Sequence, residues 1–150
     1  MIRLRDARQD ELQSLTELCL RSKAVWGYDA AFMAACRIEL TLRGDDLRST
    51  HLQVAESDIS IVGVAQVEVV GAAADLLKLF VEPDQLKSGI GRLLFGWAID
   101  QARRAGALRI VVEADPGAVS FYQRMGARRA GSCPSGSIPG RMLPRLILNL

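Results

Sequence analysis

The chain has 150 residues, 49% of them apolar, and 19 basic against 17 acidic side chains give a formal net charge of +2. That length and apolar share fit one domain, 1–150, with a full core, and they exclude a disulfide miniprotein or a disordered tail. With charge so nearly balanced no nucleic-acid-binding footprint stands out, and three scattered cysteines with a single histidine exclude a Cys/His metal site.

Residues 2–5 predict a short strand, and Leu12, Leu15, Thr16 and Cys19 recur at helical spacing over 9–21. Asp29 is placed to cap a second helix over 30–42, with Phe32, Ala35, Cys36 and Leu40 inward and Gly44 at its end. From His51 the pattern is extended: LQVAE, a polar Ser57-Asp58 turn, then β-branched ISIVGVAQVEVV, together a hairpin. The run 75–82, DLLKLFVE, is apolar on both parities, as in a central strand covered on both faces, and Pro83 ends it. Gly89-Ile90-Gly91 opens a helix that reaches Gly106. ALRIVVE then reads as a buried strand, 118–125 as a short helix, and ARRAGSC and RMLPRLILNL as two last strands. The order is βααβββαβαββ, which predicts a mixed α/β fold, a central β-sheet flanked by helices. The charged start and the lack of any apolar run near ~20 residues predict a soluble, cytoplasmic protein with no membrane contact.

A glycine-bearing loop between a buried strand and a helix start suits an anion. First-turn N–H groups lack intrahelical partners, the helix dipole favours negative charge there, and Gly89 and Gly91 permit close backbone approach. Lys87 and Arg92 flank the loop and can add charge-assisted contacts to phosphate oxygens. A tight strand-to-helix turn would need the same glycines. The loop ends in Gly91-Arg92-Leu93 and so is no P-loop. A dinucleotide fingerprint fits poorly, because Leu94 stands at its third glycine and the loop lies far from the end of its strand.

Leu79-Phe80-Val81, Gly89-Ile90-Gly91 and Ala118-Val119-Ser120-Phe121-Tyr122 with Gly126 resemble, at ungapped spacing, the acetyl-CoA-binding core of the GNAT superfamily of N-acyltransferases. The element order and the preceding IVGVAQVEV strand agree with it. The resemblance implies an acetyl-CoA-dependent N-acetyltransferase that uses no metal and acetylates a primary amine of a small molecule or peptide, with a homodimer as the family expectation. It implies cofactor contacts from Leu79, Val81, Lys87, Ser88, Gly89, Ile90, Gly91, Arg92, Asp115 and Ala118, with the backbone of Leu79 and Val81 pairing the pantetheine arm as an added strand. Leu86 departs from the family pattern by standing where Gln or Arg is usual, which implies weaker or differently balanced CoA binding.

An amine attacking a thioester must be neutral, its oxyanion needs a donor, and the departing thiolate benefits from a proton. The resemblance implies Tyr122, in its FY pair, as the donor of that proton. Glu68, Asp75, Glu82 and Glu113 are the carboxylates on or ending strands; Asp75, four residues before Leu79 and on the same strand parity, sits where some family members place the base. A water relay is the alternative. The early helices and the late hairpin would carry acceptor specificity, through Lys23, Trp26, Tyr28 and Arg141; if both cations face the pocket, an acceptor with a carboxylate or phosphate is favoured. Cys19 and Cys36 read as buried small residues, and a covalent acyl-Cys route lacks a neighbouring base. The other reading is a catalytically silent CoA-binding sensor, against which the proton donor at Tyr122 argues.

Overall fold

The computed structural model describes residues 1–150. Strand β1 (Arg3–Asp6) leads through a single turn into α1 (Leu12–Ala24), and α2 (Ala30–Leu40) and α3 (Gly44–Ser49) follow. Three strands come next, β2 (His51–Glu56), β3 (Ile61–Val70) and β4 (Ala73–Val81), and then α4 (Ile90–Arg104). The chain closes with β5 (Arg109–Glu113), α5 (Val119–Arg124), β6 (Arg128–Pro134) and β7 (Met142–Asn149). The strands form one seven-stranded sheet in the order β1-β2-β3-β4-β5-β7-β6, in which β4 and β5 are the only parallel pair. No helix is long and apolar enough to cross a membrane.

Local chemistry explains most of these boundaries. The Asp29 carboxylate accepts the Phe32 amide at 2.8 Å and starts α2, as its residue type predicts. α2 stops at Leu40, two residues short of expectation, and Gly44 opens α3 instead of merely ending α2. The added helix has a local cause, because Asp45 and Asp46 supply acidic first-turn residues and the Asp46 carboxylate takes the Arg43 amide at 2.7 Å. Ala35, expected inward, is exposed. At the sheet edge Arg5 lies between Glu11 and Glu56, bidentate to Glu11 at 2.7 and 3.0 Å, and ties β1 to the start of α1.

The sheet has a core on each face. Leu15, Leu18 and Cys19 of α1, with Cys36 and Leu40 of α2, cover Leu52, Val54 and Val64. On the opposite face Phe95, Ala98 and Ala102 of α4 and Tyr122 of α5 pack on Val67, Leu76, Ile110 and Val112. Burying this much branched apolar surface holds the layers together at roughly 25 cal/mol per Å².

Candidate active site

The site begins where the sheet opens. Pairing between β4 and β5 runs from Ala73 opposite Arg109 to Leu76 opposite Val112 and stops there, while β4 continues to Val81. The break coincides with a bulge on β4: Val67 faces Leu76 and Gln66 faces Lys78, leaving Leu77 without a partner. Beyond it, the Glu82 amide donates to Val62 of β3 at 2.8 Å. The alternation of an extended chain therefore turns the N–H and C=O of Val81 and Leu79 toward the opposite edge, where β5 no longer pairs. An unpaired strand edge inside a sheet is a ready place for an extended ligand to add.

The same bulge corrects the parity argument for Asp75. Asp75 pairs with Glu68 and Leu79 with Ala65, and these partners lie three residues apart on an unbulged β3. Asp75 thus faces the opposite side of the sheet from Leu79. Its side is that of α1 and α2, shared with Lys78, whose ammonium donates to Gln66 at 3.1 Å in a buried network completed by Asp46 and Thr50. Glu82 is engaged by Arg21 at 2.8 and 2.9 Å, and Glu113 is exposed.

At the end of β4, Pro83 starts one tight turn and the glycine loop follows. Gly89 caps α4 at φ +89°, a left-handed conformation that glycine adopts at little cost, and Lys87 also has positive φ. The amides of residues 86–92 donate to no acceptor in the protein; the first amide of the run that is satisfied is Leu93, bonded to Gly89 at 3.1 Å. Ile90 is buried beneath this cradle, while Leu86, Lys87, Ser88 and Arg92 are exposed around it. Leu86 contributes an apolar side chain, 46% exposed, at the rim.

Tyr122 sits behind the cradle. Its ring meets Phe95 and Phe121 edge-on, with centroids 5.4 and 5.1 Å away, and a Cβ on Gly91 would lie 3.4 Å from the Phe121 ring. The hydroxyl has no hydrogen-bond partner in the protein, and burial pushes its pKa well above the ordinary tyrosine value. Such a phenol stays protonated, a donor without an acceptor of its own. Ala118, at the entry to α5, closes a turn by donating to Asp115 at 2.8 Å.

Lys23, Trp26, Tyr28 and Arg141, expected on the acceptor side, meet Asp115 around the turn after β5. The Tyr28 hydroxyl donates to Asp115 at 2.6 Å and accepts from Arg141 at 2.7 Å. Lys23 and Arg141 approach the same carboxylate oxygen at 3.6 and 3.7 Å. Trp26 lies on Gly117, where a Cβ would come within 2.7 Å of its ring, so only glycine permits this contact. Asp115, expected along the cofactor arm, has its side chain engaged by Tyr28 and flanked by Lys23 and Arg141. Burial, with the bond to Asp115, holds the Tyr28 pKa above its usual value. Phe32, stacked on Tyr28 with centroids 3.9 Å apart, completes the group; its helical spacing marked it only as an inward residue.

The sequence model of the acetyltransferase (GNAT) domain matches residues 24–133. The PaiA N-acetyltransferase of Thermoplasma acidophilum, solved with coenzyme A, superposes with a TM-score of 0.84 at 17% identity, covering 100% of this chain and 99% of its own. A GNAT-family acetyltransferase of Staphylococcus aureus gives 0.76 at 18% identity over 99% of both chains. The ribosomal-protein-S18-alanine N-acetyltransferase of Escherichia coli gives 0.73 at 18% identity, covering 99% of this chain and 94% of its own. These likenesses are of fold. No curated protein matches the chain in sequence.

Proposed function

Because the chain belongs to the acetyltransferase (GNAT) domain family, we propose that it is an N-acetyltransferase moving an acetyl group from acetyl-CoA directly to a primary amine of a small molecule or peptide. The observation that carries this reading is the continuity of two unpaired backbone surfaces: the β4 edge at Leu79 and Val81, and the free amides of residues 86–92. The first suits the amide groups of a pantetheine arm and the second a pyrophosphate, with Lys87, Ser88 and Arg92 at the rim. A structural relative solved with coenzyme A supports the assignment.

In the reaction the neutral amine attacks the thioester carbon, the C–S bond breaks, and the nitrogen loses one proton while the sulfur gains one. Tyr122 supplies the sulfur's proton and takes one back from solvent as coenzyme A leaves, its ionised form being disfavoured by burial. The departing amine proton goes to Asp75, through water, on the α1 and α2 side of the sheet where Lys23 and Tyr28 also lie. Transfer is direct: burial pushes the Cys19 thiol up to about 12, which keeps it protonated and a poor nucleophile. Lys23, Trp26, Tyr28 and Arg141 line the acceptor side.

Calorimetric titration with acetyl-CoA, followed by thiol release with a panel of amines, tests this reading. Binding with amine-dependent release is expected, and Tyr122→Phe should lower kcat by about 10² or more while acetyl-CoA still binds. Binding without release from any amine would leave only a CoA sensor, and absence of binding would overturn the proposal.

A further inference from the structure

Two cations and one carboxylate stand at the acceptor side, with side chains only 16% (Lys23), 19% (Arg141) and 12% (Asp115) exposed. Their hydrogen bonds do not match their charges. One Asp115 oxygen is taken by the Gly117 amide at 3.0 Å and the other by the Tyr28 hydroxyl. Neither Lys23 nor Arg141 hydrogen-bonds to that carboxylate; Lys23 has no hydrogen-bond acceptor in the protein and Arg141 has only the Tyr28 oxygen. No side-chain nitrogen is sealed off without a partner, so the unbonded N–H groups of Lys23 and Arg141 stay open to an incoming acceptor. The cluster keeps a net charge of one positive unit and a set of unused N–H groups.

We infer that the acceptor is an amine bearing a separate carboxylate, held between Lys23 and Arg141. The inference rests on the transferase reading for the amine, and on the cluster alone for the carboxylate. A monoanion neutralises the cluster, a phosphate dianion would overshoot to net negative charge, and a second ammonium would add to the excess already there. Arg141 is also shaped for the task. Its guanidinium carbon lies over the stacked Tyr28 and Phe32 rings, 5.1 and 4.9 Å from their centroids, which restrains the group while N–H groups beyond the one given to Tyr28 stay free for a carboxylate. Three segments bring the cluster together: the α1–α2 connection, the turn after β5, and the β6–β7 loop, which Ser137 clips to Glu39 of α2.

The test measures kcat and KM for glycine, β-alanine, 4-aminobutyrate and 6-aminohexanoate, each against the alkylamine of the same length, with O-phosphoethanolamine and putrescine as further arms. At least one carboxylated amine should exceed its alkylamine in kcat/KM by about tenfold or more. Lys23→Gln and Arg141→Gln should each bring that ratio toward one through KM, with thermal denaturation confirming that the variants fold. Preference for the alkylamines, the phosphate or the diamine over every carboxylated amine would overturn the inference, as would a ratio unmoved in both variants. If no amine is acetylated although acetyl-CoA binds, the transferase reading fails by itself, and calorimetric titration with hexanoate judges the carboxylate site. Saturable binding lost in Lys23→Gln would uphold that site without the chemistry; no binding would remove it as well.

Discussion

A phenol that is buried in the fold and hydrated in the unfolded chain couples protonation to stability. Tyr122 has its pKa raised in the folded protein by desolvation among Phe95, Phe121 and the strands beneath. Above pH ~10 the unfolded chain ionises this group while the folded one withholds ionisation, so its contribution is complete below that pH and is lost as pH rises toward the higher folded value. Thermal denaturation should therefore show stability falling above pH ~10, and Tyr122→Phe should fall less steeply there; equal slopes would mean that the hydroxyl is not desolvated. At this scale the sequence was informative about residue type and poor about partnership. Lys23, Trp26, Tyr28 and Arg141 could be picked out as a polar and aromatic set, yet the carboxylate that joins them stands 87 residues from Tyr28, and no local pattern encodes such a contact. The spacing of Asp75 and Leu79 was legible as well, but the bulge at Leu77 that reverses their relation depends on pairing with β3.

Helix α4 couples a fold signal to a binding surface through one residue. Gly89 holds φ +89° and leaves the first-turn amides open, and a Cβ there would meet nothing within 4 Å. Gly89→Ala would thus strain only the backbone, at a cost of about 1 kcal/mol. It should lower the denaturation midpoint and weaken acetyl-CoA binding together, since relief of the strain turns the amides of residues 86–92 out of line. Gly96, inside the same helix and equally free of neighbours, has ordinary helical geometry. Gly96→Ala should raise stability by about 0.5–1 kcal/mol with acetyl-CoA affinity retained. If calorimetry finds the two variants alike in affinity, the cradle is not the anion site. The start of α4 was readable because glycine punctuates a helix within a few residues. Helix α3 is hidden in the sequence because Gly44 serves equally well as an end for α2, although Asp45 and Asp46 just after it carry an N-terminal signal.

The whole sheet is organised around its interruption. Strand order along the chain was recoverable from periodicity, but the insertion of β7 between β5 and β6 is a matter of long-range pairing and was not. That insertion gives β5 a full antiparallel partner on one side, from Arg109 opposite Asn149 to Glu113 opposite Arg145, so β5 can leave β4 after Val112 without becoming an isolated strand. The molecule thereby keeps an unpaired internal edge that a ligand can complete, and completing it must stabilise the fold by mass action. At a hundredfold excess over its Kd, acetyl-CoA should contribute about 3 kcal/mol, roughly 5–10 °C in melting temperature for a chain of this size. Hydrogen exchange locates the effect: the amides of Leu79 and Val81 should slow on binding, whereas those of β1 and β2, paired with each other at the far side, should change little. A melting shift accompanied by uniform slowing would mean binding elsewhere, since only a ligand lying along β4 supplies acceptors to the edge that β5 has left.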